Sequence, residues 1–140
     1  MRGPTGAPEP TSRRILPAML QHASLEVSPD RVRECVAFWE LLGFEEMEPP
    51  PKLGGRFTWV HREGTQIHLI PVDDPVNMRE GHVAIVAPDY ETNLRLLLDA
   101  GFELRAGSNA WDAPRAFVRD PGGNLIEVMS RPPLPPFPPA

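Results

Sequence analysis

Three histidines and one glutamate stand where they could hold a metal ion. His22 and His82 lie 60 residues apart, and each opens a short stretch of alternating character, "HASLEV" and "HVAIVA". His68 in "TQIHLI" and Glu127 in "NLIEVM" share a position in two later stretches. Alternation at period two reads as strand, with successive side chains on opposite faces. On that parity His22 shares a face with Ser24, His82 with Ala84, His68 with Gln66 and Ile70, and Glu127 with Leu125 and Met129. A carboxylate in an apolar strand is costly to bury unless it is paired or bound to a cation. Three imidazoles and a carboxylate suit a divalent transition metal. The same four residues would otherwise form a buried His–Glu hydrogen-bond cluster. His61, at a strand end, falls outside the pattern and reads as surface.

These residues are positioned by a repeat. "HASLEV" is followed by "SPDRVRECVAFWELLGFEE", and "HVAIVA" by "PDYETNLRLLLDAGFEL". Ser28 is placed to cap the first helix, with Pro29 at its first position and Asp30 in its first turn. Val32, Cys35, Val36, Trp39 and Leu42 recur at helical spacing as its inner face. A second helix after Asp89 is expected to bury Leu94, Leu97 and Leu98. Gly43 and Gly101 end the two helices as left-handed caps. A short strand, a loop and a hairpin follow each helix. The hairpins are Phe57–Val60 with Thr65–Ile70, and Ala116–Val118 with Leu125–Ser130, the latter turning at "DPGGN". Each unit is therefore βαβββ. The expected fold is α+β: two βαβββ modules, about residues 19–72 and 80–131, forming a cup-shaped mixed sheet around a metal site with helices outside.

The cup would be lined by Trp59, Ile70, Leu125, Met129 and Trp111, with parity leaving open whether Phe57/Trp59 or Thr58/Val60 face inward. "RAGSNAWDAPR" (105–115) and "PPPKLGGR" (49–56) are turn-rich and are candidate substrate loops, the first as a lid.

With 140 residues, 41% apolar and 24% charged, the chain has room for one domain with one core. A net charge of -5 without a basic stripe argues against nucleic acid as a partner. There is no long apolar run for a membrane span, and "MRGPTGAPEPTSRR" lacks the apolar centre of a secretory signal. The lone cysteine, Cys35, excludes an internal disulfide, fits a reducing cytoplasmic setting and reads as a core thiol. The 19 prolines crowd the ends. Residues 1–18 read as a disordered, dispensable extension, 19–131 as the domain, and 132–140 as a solvated Pro-rich tail.

"LQHASLEV", "FWELLGFE", "IHLI", "GHVAIVA" and "RDPGGNLIEV" together resemble the vicinal oxygen chelate superfamily, which includes glyoxalase I, extradiol dioxygenases, methylmalonyl-CoA epimerase, fosfomycin-resistance thiol transferases and bleomycin-binding proteins. The resemblance spans about residues 19–131. It implies metal ligands at His22, His68, His82 and Glu127, and a divalent Zn, Ni, Co, Mn or Fe ion. It further implies Glu127 or His68 as catalytic base, a small-molecule substrate chelated through adjacent oxygens, and a homodimer. The implied activity is a glyoxalase-like lyase or isomerase. The alternatives are an extradiol-type dioxygenase, using His22, His82 and Glu127 as a facial triad, and a non-catalytic antibiotic-binding protein. Where this chain has His68, glyoxalase I usually has glutamate and the epimerases glutamine. No basic set for glutathione carboxylates is evident; Arg56, Arg62 and Arg115 are the candidates.

Overall fold

The computed structural model describes residues 16–140. The expected extension at 1–18 lies mostly outside the described residues. The repeat folds as two four-stranded mixed sheets, each with one helix. The first module comprises β1 (His22–Val27), α1 (Val32–Leu41), β2 (Glu45–Met47), β3 (Thr58–Arg62) and β4 (Thr65–Pro71), in sheet order β1-β4-β3-β2. The second comprises β5 (Val83–Val86), α2 (Tyr90–Asp99), β6 (Arg105–Ala106), β7 (Arg115–Arg119) and β8 (Leu125–Met129), in order β5-β8-β7-β6. The first strand of each module runs parallel to the last, and the other neighbours are antiparallel.

One apolar core serves both modules. Phe38 and Trp39 of α1, Leu97 of α2, Val60 and Ile67 of the first sheet, and Ile126 and Val128 of the second are all nearly fully buried. Phe38 meets Trp39 and Phe102 edge-on, at centroid distances of 5.5 and 5.1 Å. Gly43 (φ +83°) and Gly101 (φ +90°) adopt the left-handed conformation that ends each helix.

The structure corrects three local expectations. Ser28 makes no side-chain capping bond: one 3-10 turn, Pro29–Arg31, intervenes and α1 begins at Val32. Leu98 is 56% exposed; α2 buries Leu97 as expected, half-buries Leu94, and buries Tyr90 in addition. Tyr90, Asn93 and Leu97 recur at i, i+3 and i+7, so the inward stripe runs one position off Leu98. His61 is half-buried and shares a face with Trp59, because β3 extends to Arg62 rather than ending at Val60.

The two modules are tied at Glu26 of β1. Asn124, just before β8, donates its side-chain amide to Glu26 O at 3.1 Å, and the Val76 amide donates to Glu26 Oε2 at 2.6 Å. The end of β1 is thereby tied to the start of β8, which pairs with the start of β5 through Val83 and Ile126.

Candidate metal centre

The four candidate ligands form two pairs, one on each sheet. In the first module the parallel pairing of β1 and β4 sets Ser24 opposite His68 and His22 opposite Gln66. The His22 and His68 rings stack at 4.0 Å with an interplanar angle of 17°. Trp59, opposite His68 on β3, covers its other side at 3.9 Å and 2°. His68 is thus held between two rings, and one ring nitrogen, Nε2, lies 2.8 Å from Gln66 Oε1. Burial, then the neighbouring His22, holds this imidazole below its usual pKa.

In the second module His82 Nε2 lies 3.0 Å from Glu127 Oε2, and Arg115 Nη1 donates to Glu127 Oε1 at 2.9 Å. Glu127 is 4% exposed, so its charge is set against two nitrogen-bearing partners rather than water. His82 Nδ1 is 2.7 Å from Glu80 O. A carbonyl only accepts, so Nδ1 carries a proton, and a hydrogen bond from Nε2 to the carboxylate requires a second proton on Nε2. Arg115 is fixed in turn: Nε and Nη2 donate to Ser108 O and Ser108 Oγ at 3.1 and 2.7 Å, and Trp111 lies under the guanidinium at 4.8 Å.

The pairs do not converge in one chain. Among the described residues no three His, Cys, Asp or Glu side chains lie close enough to hold a metal ion.

Two donors about 2.1 Å from one ion at right angles are about 3 Å apart, as His82 Nε2 and Glu127 Oε2 are. The Nδ1 contact with Glu80 O is of the kind that orients a ligating imidazole. The spacing and donor types of this second pair suit a divalent transition metal. The His22 and His68 rings, stacked nearly parallel, do not turn their nitrogens toward one point.

The expected pocket residues separate. Trp59, not Val60, faces the site, since Val60 is fully buried in the core. Leu125 is half-buried and lines the clefts on either side of Glu127. Ile70 is half-buried, and Met129 is 8% exposed. Trp111 donates its ring N–H to Arg131 O at 3.2 Å, while Arg131 donates to Asp112 O at 2.7 Å, so the 105–115 loop is tied to the start of the C-terminal tail. Of the basic candidates only Arg115 joins the site. Phe117 was not foreseen. It pairs with Glu127, sets its ring edge-on to His82 at 5.3 Å, and shares a strand face with Arg115, an alternation visible in "RAFVR".

No family model matches the sequence, and no curated protein does. Solved structures do. A glyoxalase family protein from Bacillus anthracis superposes with a TM-score of 0.74 at 25% identity, covering 83% of this chain and 97% of that one. The chain has the vicinal oxygen chelate fold. Two further structures share the fold at lower identity. A glyoxalase/dioxygenase from Nostoc punctiforme matches with TM-score 0.66 and 17% identity over 87% of this chain and 99% of that one. TnmS3, an antibiotic binding protein from Streptomyces sp. CB03234, matches with TM-score 0.61 and 20% identity over 83% and 98%. Structures with these different descriptions share this fold, so the fold does not fix a function.

Proposed function

We propose that this chain is a metal-dependent, glyoxalase-like lyase or isomerase for a small α-oxo or vicinal-oxygen substrate, working as a homodimer. One observation carries the reading: two donors on β1 and β4 and two at repeat-related positions, one just before β5 and one on β8, form two pairs and no group of three within the described residues of one chain. The ion would be held by His22 and His68 of one subunit with the partner subunit's His82 and the partner's Glu127. The strand that follows His82 supports this, since Ala84 and Val86 of β5 are exposed in the single chain.

When bound, such an ion supplies a Lewis acid that polarises adjacent substrate oxygens. The protein's own side chains do the rest. The Trp59–His68–His22 stack fixes the His68 imidazole, which would hold the ion or, left out of its ligand shell, take a proton from carbon. Arg115 holds one oxygen of Glu127 and leaves the other turned to His82. Trp59 and Leu125 exclude water beside them.

Elemental mass spectrometry on untagged protein, with mixed-chain complementation, tests the reading. A His22→Ala/His68→Ala chain and a His82→Ala/Glu127→Ala chain should each lose metal and turnover of α-oxoaldehydes. Refolded together they should regain up to about half of both, since a mixed dimer has one complete site. No metal in the wild type after reconstitution would sink the proposal. Iron with oxygen uptake would redirect it to a dioxygenase.

A second reading, capture of a small molecule without turnover, is favoured by the same carboxylate: both Glu127 oxygens already have partners, in Arg115 and His82. Ligand binding untouched by Glu127→Gln, with no product formed, would select it.

A further inference from the structure

Beside the Glu127 site, on the outer half of the second sheet, three arginines border one cleft of about 420 Å³. Arg79 comes from the loop before β5, Arg105 from β6 and Arg119 from β7, with Phe117 and Leu125 on the wall and Glu103 as the one carboxylate. Three guanidiniums against one carboxylate leave a local charge of about +2, in a chain whose net charge is -5. The concentration is therefore not background.

The three arginines are exposed, and two of them are held by specific contacts. Arg119 donates to Met78 O, Arg79 O and Gly123 O at 3.2, 3.1 and 2.8 Å. It pins the loop that carries Arg79 against the β7–β8 turn. The Arg105 guanidinium carbon lies 4.8 Å from the Phe117 ring centroid, a cation–π contact that holds it against the wall of the cleft. Among the described residues neither Arg79 nor Arg105 makes a salt bridge or donates a side-chain hydrogen bond. Two unpaired forks on a pinned frame are suited to a planar or tetrahedral oxyanion.

We propose that this cleft is a subsite for the anionic group, carboxylate or phosphate, of a small ligand. Phe117 joins it to the candidate metal centre. One edge of that ring meets His82, its face carries Arg105, and its strand partner is Glu127. A molecule with its anion between Arg79 and Arg105 lays its next few atoms along Phe117 and Leu125 toward Glu127. The role as substrate subsite rests on the proposed function; anion binding itself does not.

The test is a ¹⁵N-detected NMR titration of the full chain, made metal-free with EDTA, at low ionic strength. The probes are inorganic phosphate and malonate. At least one should give saturable shifts at the amides of residues 104–106 and 117–119. Affinity should fall tenfold or more in Arg79→Gln/Arg105→Gln and hold in Arg33→Gln, whose arginine pairs with Glu46 elsewhere. Rising salt should weaken binding. Saturation by phosphate alone, or by malonate alone, assigns the ligand's anion. No saturation by either overturns the proposal, as does equal binding by wild type and a double variant with a native-like spectrum. Because no metal is present, the outcome is independent of the metal and complementation tests. Binding without metal retention in those tests would keep the anion site and discard the enzyme reading.

Discussion

Arg115 and His82 hold opposite oxygens of one buried carboxylate, Glu127, at 2.9 and 3.0 Å. The ion pair with Arg115 is largely shielded, with 17% of the Arg115 side chain and 6% of the Glu127 side chain exposed. Removing one member of such a pair strands the other's charge. Arg115→Met should lower stability by about 2 kcal/mol, whereas Arg115→Met/Glu127→Gln should recover part of that loss. Thermal or urea unfolding of the four proteins gives the coupling directly. Additive losses would show that Glu127 does not depend on Arg115.

The indole of Trp59 should matter to His68 more than to the fold. It stacks on the imidazole at 3.9 Å but lies on the half-buried face, away from the fully buried Val60. Trp59→Leu should weaken metal retention roughly tenfold, as loss of a residue orienting a ligand does. Trp59→Phe, which keeps a ring, should weaken it less. Equilibrium dialysis against a competing chelator reads both.

Cys35 is fully buried, and burial, helped by the Asp120 charge, pushes its pKa from 9.0 up to about 12. At pH 8 about one thiol in ten thousand would be ionised, so native protein should resist thiol reagents that label the unfolded chain at once. The linkage has a definite sign. With the folded value raised, this burial favours folding fully below pH 9.0, and the benefit is lost as pH rises toward about 12. The melting temperature of the wild type should therefore fall more steeply above pH 9 than that of Cys35→Ala. Parallel curves would contradict the assignment.

Neighbouring leucines of α2 make a sharp contrast. Leu97 is 0% exposed and Leu98 56%. Leu97→Ala should cost about 2–5 kcal/mol through lost burial and a cavity. Leu98→Ala should stay within about 0.5 kcal/mol. Chemical denaturation of the two variants checks this.

Much of the fold was legible because it is written twice. Two histidine-led strands, two Gly-Phe-Glu helix ends and two hairpins at matching spacing specify βαβββ modules without tertiary information. Helix faces were less legible where one residue of phase decides burial, as at Leu98. So was a cap such as Ser28, where a 3-10 turn took the place of the expected side-chain bond.

For the candidate site, the sequence by itself determined which four donors exist, which strand face each occupies and which module each belongs to. Strand parity and repeat spacing are local properties of the chain. It could not say that the donors stand two and two. That depends on packing between the modules, which includes the bonds from Asn124 and Val76 to Glu26. Nor could it say that Arg115 would take one oxygen of Glu127, or that Arg79, Arg105 and Arg119 would share a cleft. Those groupings join residues far apart in the chain, and only tertiary packing decides which distant charges become neighbours.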